Sequence, residues 1–296
     1  PENIGFLKRF RALLDEYPDC AAVGEVGDAQ RGLEIVAQYT SGNDKIHMCY
    51  AFEFLSPEPL TPKRVRDVQE KFGETAPQGW SCWAFSNHDV MRHASRWADH
   101  VADREAYLKM TTMLILTLRG SVCLYQGEEL GLSEAVLDFE DLQDPYGKRF
   151  WPNFRGRDGC RTPMAWSHNE PNAGFSNEAP WLPVPPEHLH LSVNSQEGQS
   201  DSLLEFYREF LQFRRLHPEF IKGSIRFHEG SDAVVVFERE HGGSSILVAI
   251  NMGAEPTEVS IPNNQYEEIG PFGVGCRFTN GKLELPPFGG WLAKIR

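Results

Sequence analysis

The chain has 296 residues, 41% hydrophobic and 24% charged, with a formal net charge of −13. That length supports a sizeable core in one or two domains, and the acidic balance argues against nucleic acid and membrane surfaces as partners, favouring a neutral or cationic small molecule. Six cysteines without CxxC pairing, and no apolar run near ~18 residues, point to reduced, buried thiols, no spanning helix and a cytoplasmic location.

Pro1 is not a natural start, so a preceding segment is expected. Residues 4 to 17 place Ile4, Leu7, Phe10, Leu14 and Tyr17 on one helical face, and Pro18 ends it. "CAAVGEV" (20 to 26) is a short apolar run, as expected for a strand buried on both faces. A helical segment around Leu33 to Tyr39 leads to a second strand, "HMCYAFEFL" (47 to 55). "TPKRVRDVQEKF" (61 to 72) carries proline in its first turn and reads as helix. "WSCWAF" (80 to 85) is a third strand, residues 103 to 119 an apolar helix, and "SVCLYQG" (121 to 127) a fourth strand. Strands alternating with helices argue a parallel sheet with helices outside, doubly wound or barrel-like. No GxGxxG follows any strand, which weakens a dinucleotide reading.

Residues 128 to 199 break this rhythm, and a loop of that length directly after a strand end is expected to be functional. Its acidic stretch "SEAVLDFEDLQD" (133 to 144) reads as a solvated face, and Trp151, Trp166 and Trp181 suit either sugar stacking or packing. Helix resumes from about Asp201 to Leu216, closed by Pro218. After residue 220 the pattern turns to period two between Gly, Pro and Asn turns. This predicts two domains, an α/β domain over 1–220 and a small antiparallel β domain over 221–296.

Three of the four strands end in polar side chains: "GEVGD" with Glu25, "FSNHD" with His88 and Asp89, and "YQGEE" with Glu128. Parallel α/β sheets bind ligands at the carboxyl ends of their strands, so these groups are expected to converge. A desolvated glutamic acid near other carboxylates can hold a proton and act as a general acid. A second, ionised carboxylate can stabilise positive charge, and an imidazole and an amide can bind hydroxyls. Together these are parts of a glycoside-cleaving site. His88, His93 and His100 stand five and seven residues apart, which is no helical ligand spacing, so no metal and no cofactor is expected.

"GEVGD", "FSNHD", "YQGEE" and "GRDGCRTPMAW" (156 to 166) resemble, in order, signatures of the α-amylase superfamily, glycoside hydrolase family 13, in its α-glucosidase and oligo-1,6-glucosidase branch. The resemblance implies a (β/α)₈ barrel followed by a β-sandwich, with this chain holding barrel strands five to eight. It implies Glu25 as general acid/base and Asp89 as the carboxylate that favours the oxocarbenium-like state. His88 and Arg157 would bind the same glucose, and Arg92 keeps the family spacing after the aspartate. The implied activity is a retaining α-glucosidase on maltose-, isomaltose- or sucrose-type substrates, working by double displacement. The family's nucleophilic aspartate ends the fourth barrel strand, which no segment here supplies, so this chain alone is expected to be inactive. Transglycosylation or sucrose isomerisation within the superfamily, and a non-catalytic scaffold, are the alternatives.

Overall fold

In the computed structural model, residues 2–28, 30–262 and 265–296 are described. They divide into two compact units, one of residues 1–84, 113–123 and 213–296, the other of residues 85–112 and 124–212.

The first unit is built on a parallel sheet of β1 (Val23–Val26), β2 (Met48–Ala51), β3 (Ser81–Trp83) and β4 (Ser121–Val122), paired in sequence order. Helices α1 (Glu2–Leu14), α2 (Gly32–Thr40) and α3 (Pro62–Thr75) connect or precede the first three strands. The α3 start follows its sequence: Thr61 caps it by accepting from the Arg64 N–H at 3.2 Å, and Pro62 occupies the first turn. Val65, Val68 and Phe72 recur at helical spacing and are buried. Trp83 is fully buried, with its ring edge-on to Phe54 and Phe72, and its indole N–H donates to the Arg119 carbonyl at 2.7 Å. Buried Trp requires such a partner for its polar atom.

The same unit carries two antiparallel sheets. One orders β5 (Ser224–Phe227), β6 (Val234–His241), β7 (Ser244–Asn251), β12 (Gly290–Ile295) and β9 (Tyr266–Glu268); the other orders β10 (Arg277–Thr279), β11 (Lys282–Leu285) and β8 (Thr257–Ser260). Val234, Val236, Leu247 and Ala249 from the first sheet share one core with Val259, Leu283 and Leu285 from the second. Arg239 on β6 is wholly buried, makes no ion pair with a carboxylate among the described residues, and donates to the carbonyls of Thr117, Leu118, Phe220, Gly223 and Ser224.

Several expectations need correction. The strands are short: Ala84 and Phe85 are buried yet outside the ladder, because packing continues where pairing stops. Only Leu7 of the expected α1 face is buried, while Phe10 and Tyr17 are exposed. Cys20 and Cys123 are exposed rather than buried. Pro218 does not only end α8 (Leu203–Leu216); it opens a further short helix, α9 (Pro218–Lys222). No described helix is long and apolar enough to cross a membrane.

In the second unit, residues 124–212 hold short helical turns, α6 (Pro145–Phe150) and α7 (Val193–Gln196) among them, packed over two small apolar clusters. The acidic stretch 133–144 is not a solvated face throughout: Asp144 is fully buried and Glu134 partly so.

Candidate active site

The turn that presents Asp89 is shaped by its neighbours. The Asn87 Oδ1 accepts from the N–H groups of Asp89 and Val90 at 2.9 and 3.0 Å, an Asx turn that swings the chain out of the strand direction. Ser86 Oγ, buried, accepts from the His93 N–H at 2.8 Å and fixes the following turn of helix, α4 (His93–Arg96). Phe85 stays inside at 1% exposure while His88 is exposed. "FSNHD" is therefore an apolar anchor, two turn-forming side chains and two displayed titratable ones.

Asp89 is held by two guanidiniums on the same oxygen. Arg157 Nη1 and Arg161 Nη2 each donate to Oδ1 at 2.9 Å, and Arg161 Nε also donates to the His88 carbonyl at 2.7 Å. Oδ2 takes part in no hydrogen bond among the described residues and lies 3.6 Å from His88 Nε2. One carboxylate oxygen is thus occupied and the other stands open beside an imidazole, at 31% side-chain exposure for Asp89.

Arg157 also serves Asp144. Its Nε and Nη2 donate to Oδ2 and Oδ1 at 2.9 and 3.2 Å, and its backbone N–H donates to Oδ2 at 2.9 Å. The Arg157 guanidinium holds the Asp144 carboxyl below the usual range, at about 2. Asp144 and Asp89 in turn hold the proton on Arg157 more firmly. Asp144 also caps α6 by accepting from the Tyr146 N–H at 3.1 Å. Asp158 Oδ2 accepts from the N–H groups of Gln143 and Asp144 at 2.6 and 2.7 Å. Gly156 has φ +81°, and a Cβ there would lie 2.8 Å from Gly147 Cα and 3.0 Å from Asp144 Oδ2, so only glycine fits this approach.

Behind the turn lies a buried polar layer. Arg92, 1% exposed, donates Nη1 to the Gln126 carbonyl and Nη2 to the Cys160 carbonyl at 3.0 Å, and its backbone N–H donates to Glu134 Oε2 at 3.0 Å. Burial pushes the Glu134 carboxyl up to about 7. Glu128 does not join Asp89 at the surface; it is buried, with Oε1 3.5 Å from His93 Nδ1. Arg92 is thus a buried tie between segments.

The predicted site residues His88, Asp89 and Arg157 come together in this unit. Glu25 belongs to the other unit, third in β1 opposite Tyr50, and its side chain is exposed, not buried as its apolar surroundings suggest. The reason is local: among the described strands β1 pairs only with β2. Sequence reasoning missed Arg161 and Asp144. The "RDGCR" spacing and the Asp-Pro helix start at 144–145 were the available signals.

Residues 1–223 match the α-amylase catalytic domain family. The chain belongs to the α-amylase family. Over 295 residues it is 52% identical to a protein of Rhizobium meliloti named a probable alpha-glucosidase, covering all of this chain and 53% of that protein. It is 30% identical over 294 residues to the probable oligo-1,6-glucosidase 2 of Bacillus subtilis, covering 88% of this chain and 51% of the relative. The crystal structure of the alpha-glucosyl transfer enzyme XgtA superposes with a TM-score of 0.93 at 43% identity, over all of this chain and 55% of that one. The chain spans about half the length of the relatives it matches. Within the family, the α/β architecture with its ordered parallel strands is the expected one.

Proposed function

We propose that the protein carrying this chain is a retaining α-glucosidase acting on short α-glucosides. The observation that carries the reading is the half-occupied Asp89, with Oδ1 taken by Arg157 and Arg161 and Oδ2 open beside His88. An ionised carboxylate oxygen next to an imidazole suits two adjacent sugar hydroxyls, and its charge opposes the positive charge that builds on the anomeric carbon. In this reading Glu25 protonates the leaving oxygen and later deprotonates water. A nucleophilic aspartate upstream of these residues forms the glycosyl intermediate. The parallel sheet β1–β4 is then strands five to eight of a (β/α)₈ barrel, and β5–β12 a C-terminal β-sandwich. The similarity to relatives named as α-glucosidases supports hydrolysis. The 43% identity to an enzyme named for α-glucosyl transfer supports a second reading, in which a sugar hydroxyl replaces water as acceptor.

The test is p-nitrophenyl-α-glucoside turnover by the full-length protein beside its Glu25→Gln variant. Loss of about 100-fold or more in the variant is the expected result for an acid/base. Absence of turnover by the unmodified protein on this substrate, maltose, isomaltose and sucrose would overturn the reading. With p-nitrophenyl-α-glucoside alone, one free glucose per released nitrophenol marks hydrolysis, and a deficit of glucose marks transfer.

A further inference from the structure

A guanidinium beside a carboxylate favours the two-bond fork, two N–H groups onto two oxygens. Arg157 does not make that fork with Asp89. It reaches Asp89 with Nη1 alone, because Nε and Nη2 are taken by Asp144. Asp144 cannot follow if Arg157 moves. It is buried, it caps α6, and its own N–H and that of Gln143 are held by Asp158 Oδ2. Arg161 likewise spends Nε on the His88 carbonyl and gives Asp89 only Nη2. Both arginines therefore end on Oδ1, and Oδ2 is left clear.

We propose that Asp144 is a positioning residue that keeps Asp89 available to the sugar: by holding Nε and Nη2 of Arg157 it prevents a bidentate Arg157–Asp89 pair that would cover Oδ2. The proposal rests on the reading of Asp89 as a glucose-binding carboxylate. It assigns a function to a residue that touches no substrate. Asp144 sets ground-state sugar affinity through Arg157, and its loss makes the site block itself.

The experiment uses the full-length protein, with initial rates on p-nitrophenyl-α-glucoside, for Asp144→Asn, Arg157→Lys and the double variant. Asp144→Asn is isosteric and keeps an oxygen for the Tyr146 N–H. Should it give no folded protein, Asp144→Ser, which also keeps a capping oxygen, takes its place with the same expectations. The expected result is a KM raised about tenfold, the size of one hydrogen bond to a charged group, with kcat changed less than about threefold. In the Arg157→Lys background the same substitution should move KM less than about twofold, because a lysine cannot form the fork. An equal tenfold rise in both backgrounds means Asp144 is merely structural and overturns the proposal, as does an unchanged KM for Asp144→Asn. If the unmodified protein turns over no α-glucoside, the functional reading fails by itself. The positioning is then decided by a crystal structure of Asp144→Asn: Arg157 on both Asp89 oxygens upholds it, and Arg157 still on Oδ1 alone overturns it.

Discussion

Glu134 sits partly buried in the second unit, accepting from the Arg92 N–H at 3.0 Å, with Arg92 and Arg96 as the nearby cations. Burial raises its carboxyl from 4.5 to about 7, and the two arginines only partly offset that rise. A raised acid pKa means the folded state binds the proton more tightly than the unfolded one. Its stabilising contribution is therefore full below about pH 4.5 and is lost as pH climbs through 7. A shift from 4.5 to about 7 corresponds to about 3 kcal/mol of cost once the group is ionised. Glu134→Gln keeps an oxygen for the Arg92 N–H and removes the charge. Its stability relative to the unmodified protein should rise from near zero at about pH 4.5 to about 3 kcal/mol at about pH 8. Urea unfolding at a series of pH values measures this difference, and carbon-13 NMR of the Glu134 carboxyl gives the titration directly. A difference that stays flat across that range, or a carboxyl titrating near 4.5, would refute the reasoning.

His188 is wholly buried with Nε2 2.9 Å from the Ser133 carbonyl, and burial lowers its pKa from 6.5 to about 4. A depressed base pKa gives stability that is full above pH 6.5 and lost as pH falls toward 4, so His188→Gln should flatten the acid side of the stability profile measured by urea unfolding. Gly156→Ala, at φ +81° and against Gly147 and Asp144, should cost about 1–3 kcal/mol and show as a lowered melting temperature; an unchanged melting temperature would contradict the required left-handed geometry. Arg239→Lys reaches fewer of the five carbonyls Arg239 now serves and should cost about 2–4 kcal/mol in chemical denaturation.

The alternation of helix and strand, the period-two β region and the display of His88 and Asp89 were legible in the sequence, because each rests on local pattern. Strand length was not. Apolar runs such as "WSCWAF" mark burial, and burial outlasts the ladder, which covers only Ser81–Trp83. The exposure of Glu25 was hidden for a related reason: a short apolar run indicates a buried strand only if neighbours flank it on both sides, and β1 pairs only with β2 among the described strands. Arg157 could be named from its motif, but its division between Asp89 and Asp144 joins positions 68 and 13 residues apart. No periodicity connects such distances. The charge run predicts a solvated face for Asp144, as such runs usually form; the half-buried arginine partner that reverses this is a tertiary fact.

Gln143–Asp144 and Arg157–Asp158 hold each other reciprocally: the carboxylate of each pair accepts from the backbone of the other. Removing either acidic side chain takes away an acceptor from the backbone of the opposite segment of the loop. A single substitution that removes the oxygen at Asp144 or Asp158 therefore weakens both segments at once, whereas paired replacements need not. Over evolutionary time the two dipeptides should behave as one inherited unit, lost or exchanged together across the thirteen positions that separate Asp144 from Arg157.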